Sequence, residues 1–173
     1  MHGTSGAGRI TLALSALGFS LDDVTQAVID ATMPSEELDA IDLGPRFDLI
    51  VLGSHLVNLP EELSRGGFLR LAGRHLAPAG ALLIEHHPLD WATTAAATPS
   101  TPGGSQPGMV DVRRDPPFVS AVSVYDVGGR VVRQPFRAQV LSESELAAAL
   151  EAAGLTVRRR LSPTWLIAVS ANP

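Results

Sequence analysis

Two nearly continuous apolar runs are the clearest pattern in this chain, at residues 47–53, where Asp48 is the one polar residue, and at residues 81–85, which end in Glu85. A run that is apolar at every position is typical of a parallel strand whose sheet is covered on both faces. Between them, residues 61–76 carry apolar side chains at helical spacing, and residues 78–80 (Pro-Ala-Gly) predict a turn. Strand, helix and strand in this order predict a right-handed parallel crossover and an α/β fold.

The hydrophobic pattern changes in the second half of the chain. Residues 93–108 are rich in Ala, Thr, Ser, Pro and Gly, which predicts a flexible loop or lid. Residues 119–125 and 130–141 flank the turn sequence Asp-Val-Gly-Gly at 126–129, which predicts an antiparallel hairpin.

A helix and two strands are predicted to close the chain. Ser142 and Glu145 have the spacing of a capping box, so a helix is expected to begin there and to end at Gly154. Residues 155–161 and 164–170 then predict a closing pair of strands.

The amino-terminal part predicts a loop, a helix and a short strand. Residues 3–8 (Gly-Thr-Ser-Gly-Ala-Gly) form the predicted loop, and residues 10–17 follow with apolar side chains at helical spacing. Gly18 supplies a helix stop. A short apolar run at residues 27–29 ends at Asp30 and predicts a strand.

Composition narrows the possible functions. Apolar residues make up 45% and charged residues 18% of 173 residues, which suits one globular domain. The net charge of −5 argues against general nucleic-acid binding, because phosphate contacts need a concentrated basic surface. The absence of cysteine excludes disulfides and thiolate metal sites, and it is compatible with a cytoplasmic location. No apolar run approaches the roughly 20 residues that span a bilayer. The absence of lysine in a chain rich in Ala, Gly, Pro and Arg suggests an actinobacterial type of source.

Polar side chains follow both predicted parallel strands. His55 comes after the first strand, and Glu85, His86 and His87 close the second. The carboxyl ends of parallel strands line the ligand crevice of an open sheet, so these groups are expected to converge. Alternation sends Glu85 and His87 to one face and His86 to the other. We favour His55 and His86, with Glu85, as catalytic residues, because imidazole suits general base catalysis near neutral pH.

Two other roles for these residues stay open at this point. His55 could cap the helix that follows it, while His86 or His87 bonds backbone carbonyls. Histidine and glutamate can also bind a metal ion, but a regular ligand spacing such as His-x-x-x-His is missing, so no metal is predicted.

Three phrases of the sequence belong together: Phe-Asp-Leu-Ile at residues 47–50, Leu-Ala-Pro-Ala-Gly-Ala-Leu-Leu-Ile at 76–84, and Ala-Gly-Leu at 153–155. In this order they resemble the second half of a class I S-adenosylmethionine-dependent methyltransferase. The resemblance covers residues 44–91 and 140–170. It implies a truncated Rossmann-like sheet that is mainly parallel, with a C-terminal antiparallel strand pair and an inserted β-hairpin.

The resemblance also implies a division of one domain, 1–173, into three parts. Residues 1–91 would form the cofactor side, residues 92–141 the lid and hairpin, and residues 142–173 the closing helix and strand pair. The glycine loop would pass close to the cofactor, because glycine accepts positive φ. Asp30 would accept a hydrogen bond from the adenine, or else serve as a turn cap. The cofactor residues so implied are Gly3, Gly6, Gly8, Asp22, Asp23, Asp30 and Ser54, and the substrate residues are His87, Trp91 and Tyr125.

The sequence departs from the family pattern in two places. The family has a strand ahead of its glycine loop, whereas here Gly3 already lies in the loop. The family also has a strand ending in a ribose-binding acid and then a helix, and residues 19–25 are too few for both, since a helix averages roughly 11 residues. Only Asp22 and Asp23 could replace that acid. The strands that the family has and this sequence lacks could be absent in nature, supplied by a partner chain or by the second subunit of a dimer, or left out of this sequence.

Three functions are compatible with these observations. The first is S-adenosylmethionine-dependent methyl transfer to a hydroxyl or amine of a small metabolite. The second is a methyltransferase-like fold that carries out an isomerisation or cyclisation, with His55, Glu85 and His86 as its reactive groups. The third is a non-catalytic subunit that pairs with a full-length homologue through its open sheet edges. A homodimer or a partner chain that completes the sheet is also expected to be possible.

Overall fold

Two separate sheets make up the part of the chain that the structure, a computed structural model, describes: residues 35–100, 107–127 and 130–172. Sheet A has four strands in the order β1-β2-β7-β6, and sheet B has three in the order β3-β4-β5. The elements are α1 Ser35–Ala40, β1 Phe47–Leu52, a 3-10 helix Leu56–Asn58, α2 Glu62–His75, β2 Leu76–Glu85, α3 Trp91–Thr94, β3 Gly108–Asp115, β4 Phe118–Val127, β5 Arg130–Gln139, α4 Glu143–Ala152, β6 Leu155–Ser162 and β7 Trp165–Ser170.

The predicted parallel pair is confirmed. β1 and β2 pair in parallel, with Leu49 opposite Ala81 and Leu52 opposite Ile84, and α2 lies between them in the chain. β7 then pairs antiparallel with β2, and β6 with β7, as predicted for the closing strands. The described residues therefore form an α/β fold with a mixed sheet that combines a parallel pair with an antiparallel extension.

The predicted turn at residues 78–80 is wrong, because these residues lie inside β2. Leu76 lies opposite Phe47 while Ala81 lies opposite Leu49, so β2 holds more residues than β1 between these pairs and bulges there. Gly80 permits the close approach, since a Cβ at this position would come within 2.9 Å of the Phe47 carbonyl oxygen. The proline is accommodated because it lies in the bulge and not in the regular ladder.

The hydrophobic core lies on one face of sheet A. Leu82, Ile84, Leu166 and Ala168 point to this face and are fully buried against α2 and α4. The helices contribute a set of buried side chains: Phe68, Leu69, Leu71, Ala72, Leu146 and Leu150. Side chains that point to the other face, such as Leu83 and Ile167, are only partly buried. The helices α2 and α4 thus cover one side of this sheet.

Sheet B contains the predicted hairpin together with a strand that the sequence did not reveal. β4 and β5 pair antiparallel from Phe118 opposite Gln139 to Val127 opposite Arg130, which confirms the hairpin. β3 pairs with β4 on its other side and covers residues that the composition assigned partly to a lid. Its register shifts between Val110 and Arg113, where Asp111 has φ of 55°. This bulge interrupts the alternation that would have identified a strand.

The helix α4 is capped as the sequence predicts. The Ser142 side chain accepts a hydrogen bond from the Glu145 N–H, and the Glu145 carboxylate accepts one from the Ser142 N–H at 2.7 Å. Gly154 follows the helix with φ of 72°, the left-handed conformation expected at a helix end.

Several predictions fall on residues that the structure does not describe. These are the loop at 3–8, the helix at 10–17, the strand at 27–29 and the turn residues 128 and 129. The helix α1 was not predicted. None of the helices in the described ranges is long and apolar enough to cross a membrane.

Ser142→Ala is expected to lower the free energy of unfolding by about 1 kcal/mol, because the Glu145 N–H loses the Ser142 hydroxyl as its acceptor. Ser142→Asp is the matched control, since aspartate is an equally good N-cap and should keep most of the stability. Urea unfolding followed by circular dichroism measures both variants. Equal losses from Ala and Asp would contradict a capping role.

Candidate functional site

The carboxyl ends of β1 and β2 lie side by side and carry the predicted polar groups. Because Leu52 lies opposite Ile84, the residues that follow the two strands leave the sheet at the same edge. The backbone N–H of Ser54 donates a hydrogen bond to Glu85 Oε2 at 2.7 Å. This contact joins the two strand ends across 31 positions of sequence. Glu85 is thereby held in a fixed orientation at the edge of the sheet.

The backbone turns sharply where it leaves β1. Ser54 and His55 have φ of 56° and 54°, both in the left-handed region that residues with a Cβ seldom adopt. Such a conformation costs about 1–3 kcal/mol per residue and persists where surrounding contacts impose it. Here the turn directs the Ser54 N–H to Glu85 and brings the His55 ring over His87.

Three aromatic rings form a continuous stack at this edge. The His55 and His87 rings are 3.8 Å apart between centroids, with an interplanar angle of 14°. The His87 and Trp91 rings are 3.7 Å apart and nearly parallel, at 4°. His87 is therefore the central ring, and Trp91, at the start of α3, closes the stack. We call His55, His87 and Trp91 the ring stack.

His55 lies beside the carboxylate that Ser54 orients. Its Nε2 is 3.9 Å from Glu85 Oε1, and the two side chains are 34% and 25% exposed. This separation is too long for a hydrogen bond, but it places the carboxylate beside the imidazole. Both groups are also exposed enough to meet a ligand.

The central ring of the stack is neutral at physiological pH. Burial, together with the neighbouring His55 and His86, lowers the pKa of His87 to about 3. An imidazole with so low a pKa is a poor base. His87 is therefore suited to stacking between His55 and Trp91 and not to accepting a proton.

His86 lies on the opposite face of the strand and does not join His55. Its Nδ1–H donates to the His87 carbonyl at 3.0 Å, and Arg160 approaches its Nε2 at 3.4 Å. The side chain is buried, and this burial lowers its pKa. It lines a groove of about 430 Å³ together with Leu141, Leu146, Arg160 and Leu161. The expectation that His55 and His86 share one pocket thus fails, because successive residues of an extended chain point to opposite faces.

The remaining predicted site residues fall into two groups. Tyr125 lies on β4, opposite Val132 of β5, so the structure places it in sheet B and not in the ring stack. Gly3, Gly6, Gly8, Asp22, Asp23 and Asp30 lie outside the described residues. Within the described ranges, no three His, Asp or Glu side chains come together in a way that could hold a metal ion.

Two buried polar residues of the site region were not predicted from the sequence. Asn58 and Arg65 are buried next to the ring stack and the end of β5, where both bond to Gln139. The sequence feature that could have identified Asn58 is its position inside an apolar stretch, between Leu56-Val57 and Leu59. By contrast His75, also buried, is a structural residue whose ring nitrogens bond the backbone of Leu71 and Leu43.

Comparison by sequence finds no relative. No protein-family model matches the chain. No curated protein matches it either.

Comparison by structure finds methyltransferases. A S-adenosylmethionine-dependent methyltransferase from Clostridium acetobutylicum superposes with a TM-score of 0.63 at 9% identity, covering 95% of this chain and 70% of that one. The sugar N-methyltransferase KedS8 from Streptoalloteichus gives 0.57 at 18% identity, covering 91% and 66%. The CcbJ methyltransferase from Streptomyces caelestis gives 0.53 at 18% identity, covering 77% and 61%. The chain therefore spans between 61% and 70% of the length of these proteins, and it has the Rossmann-like fold of the S-adenosylmethionine-dependent methyltransferases.

Proposed function

We propose that this chain transfers the methyl group of S-adenosylmethionine to a hydroxyl or amine of a small metabolite, with His55 as the general base. The observation that carries the proposal is the pairing of the partly exposed His55 with Glu85 at the carboxyl edge of a methyltransferase-type sheet. In open sheets with parallel strands, that edge is where ligands bind.

The described residues at this edge suit a positively charged cofactor. Glu85 supplies a carboxylate, and the faces of aromatic rings attract cations. His87 adds no positive charge, because its pKa is about 3. When bound, S-adenosylmethionine supplies a methyl group that is already activated on a cationic sulfur. Its nucleoside would be held by the glycines and acids of the amino-terminal part, with Asp30 at the adenine and Asp22 or Asp23 at the ribose.

The chain's own residues then have separate tasks. The His55 ring takes the proton from the acceptor hydroxyl or amine as that atom attacks the methyl carbon. Glu85 Oε1, 3.9 Å from His55 Nε2, stabilises the imidazolium that results. Trp91 presents the outer, uncharged face of the ring stack beside the reacting groups, which orients the acceptor and limits the access of water, and His87 fills the stack between Trp91 and His55.

The substrate class is proposed from the acceptor chemistry. A neutral amine needs to lose one proton after methylation, so a nearby base of ordinary strength suffices. The sugar N-methyltransferase among the structural neighbours makes amino sugars the first acceptors to try. The chain is further proposed to act in the cytoplasm, alone or as a homodimer.

Calorimetric titration of the full chain with S-adenosylmethionine is expected to detect one bound molecule per chain. Asp30→Ala should weaken binding about tenfold, the effect of losing one hydrogen bond of ~1.4 kcal/mol. Asp48→Ala removes an exposed acid from β1 and is the matched control, with unchanged affinity expected. A folded protein that does not bind the cofactor would overturn the proposal in favour of a repurposed fold or a non-catalytic subunit.

His55→Gln is expected to lower kcat for methyl transfer by about 10²-fold or more, because the reaction loses its general base. His86→Gln should leave kcat nearly unchanged, since His86 lies on the opposite face of the strand. Steady-state rates with amino-sugar and hydroxyl acceptors measure both variants. A large loss from His86→Gln with little effect from His55→Gln would reverse the assignment of the base.

His87→Phe is expected to make the protein less sensitive to acid. His87 has a pKa of about 3 when folded and 6.5 in its ordinary state, so the unfolded chain binds more protons between these pH values. The free energy of unfolding therefore falls as the pH falls through this window, by up to ~1.4 kcal/mol per pH unit from this group. Phenylalanine keeps a ring in the stack but cannot bind a proton. Urea unfolding at several pH values from neutral downward should reveal a smaller loss for the variant, and equal losses would contradict a neutral, buried His87.

A further inference from the structure

Asn58 is a polar side chain enclosed in an apolar turn. It ends the 3-10 helix that follows His55 and is only 2% exposed. A buried amide is retained where its donors and acceptors are satisfied by specific partners. The partners of Asn58 are therefore informative about what the turn does.

The hydrogen bonds of Asn58 reach two members of the ring stack and the end of sheet B. Its backbone N–H donates to the His55 carbonyl at 2.8 Å. Its side-chain Oδ1 accepts from the backbone N–H of His87 at 2.9 Å, and its Nδ2 donates to the Gln139 carbonyl at 2.8 Å. Asn58 thus forms hydrogen bonds with the backbone of His55, of His87 and of Gln139, the last residue of β5.

Asn58 takes the place of a missing strand partner. Beyond Glu85 the chain leaves sheet A, and the backbone N–H of His86 still bonds the Thr164 carbonyl next to β7 at 2.8 Å. On the other side β1 has already ended at Leu52, so a strand partner for the N–H of His87 is lacking there. The side chain of Asn58 supplies the acceptor that the sheet would otherwise give.

Gln139, whose backbone carbonyl accepts the hydrogen bond from Asn58 Nδ2, is itself held in place by a second residue. Arg65 on α2 donates from Nη1 to Gln139 Oε1 at 3.3 Å and to the Leu59 carbonyl at 2.6 Å. Arg65 is buried, and its neighbours in this network are uncharged oxygens. The network therefore fixes the position of Gln139 relative to α2 and to the turn that carries Asn58.

We propose that Asn58 is a positioning residue of the methyl-transfer site: it fixes the backbone of His87 so that the ring stays stacked between His55 and Trp91. The catalytic part of this role rests on the proposed function, whereas the stacking part does not. Asparagine suits the position because its amide offers one acceptor and one donor in opposite directions. Aspartate would lack the donor, and an apolar residue would lack both.

The fluorescence of Trp91 reports whether the ring stack is intact. The chain has two tryptophans, so Trp165→Phe leaves Trp91 as the single emitter. Removal of the ring that is stacked on Trp91 changes the surroundings of the indole, so His87→Ala in this background defines the emission of unstacked Trp91. Asn58→Ala is expected to recover at least half of that change in emission and in accessibility to acrylamide. Emission equal to that of the Trp165→Phe parent would overturn the proposal.

Val57→Ala is the matched control. Val57 is fully buried on the same turn, so its truncation removes packing without touching the hydrogen bonds of Asn58. Its emission should stay at the parent value, and a change as large as that of Asn58→Ala would overturn the proposal in favour of general loosening. If Asn58→Ala does not fold by circular dichroism, Asn58→Leu replaces it. That variant is close to asparagine in size but loses both the acceptor for the His87 N–H and the donor to Gln139, so its emission should move toward that of His87→Ala; emission at the parent value would overturn the proposal.

Methyl-transfer kinetics separate the positioning role from the proposed function. Asn58→Ala is expected to lower kcat by about 10²-fold with little change in KM for S-adenosylmethionine, since misplacement of reacting groups acts on the chemical step. A wild-type chain without activity overturns the proposed function alone, and the fluorescence result still decides the stacking role. An active wild type whose Asn58→Ala variant keeps its kcat overturns the positioning role alone.

Discussion

The parallel pairing of β1 with β2 is the constraint on which the candidate site depends. The register sets Leu52 opposite Ile84, so both strands end at one edge of sheet A. Residues separated by about thirty positions in sequence then meet, and Glu85 accepts the backbone N–H of Ser54. The left-handed turn at Ser54 and His55 is maintained by these contacts, and it is this turn that brings His55 over His87. A shift of the register by one residue would send Glu85 to the helix-covered face and dismantle the pair.

The three histidines at this edge differ because their surroundings differ. His55 is partly exposed, and its Nε2 lies 3.9 Å from the Glu85 carboxylate. His87 is enclosed between two rings and stays neutral, because desolvation penalises the charged form. His86 points to the other face, where its two ring nitrogens contact the His87 backbone carbonyl and Arg160. The adjacent ends of β1 and β2 thus combine a partly exposed imidazole, an uncharged ring at the centre of the stack and a structural contact.

Sheet B is linked to the site by polar contacts and not by the hydrophobic core. The core cluster consists of side chains from sheet A and the helices with Leu141, and none of its buried members comes from β3, β4 or β5. The connection runs instead through the carbonyl and side chain of Gln139 to Asn58 and Arg65. Hydrogen bonds are directional, so this junction sets orientation where apolar packing would set only proximity. The Asn58 amide therefore joins the last residue of β5 directly to the backbone of His87.

Local patterns of the sequence determined most elements of the described fold. Continuous apolar runs identified β1 and β2, the spacing of Ser142 and Glu145 identified the start of α4, and alternation assigned Glu85 and His86 to opposite faces. These features depend on residues within a few positions of one another, so periodicity and propensity suffice to recognise them. The bulge that absorbs Pro78, the strand β3, the stacking of His87 between His55 and Trp91, and the bonds of Asn58 were decided only by the tertiary structure. Each of them depends on a partner distant in sequence, and a one-dimensional pattern carries no record of which distant residue will supply that partner.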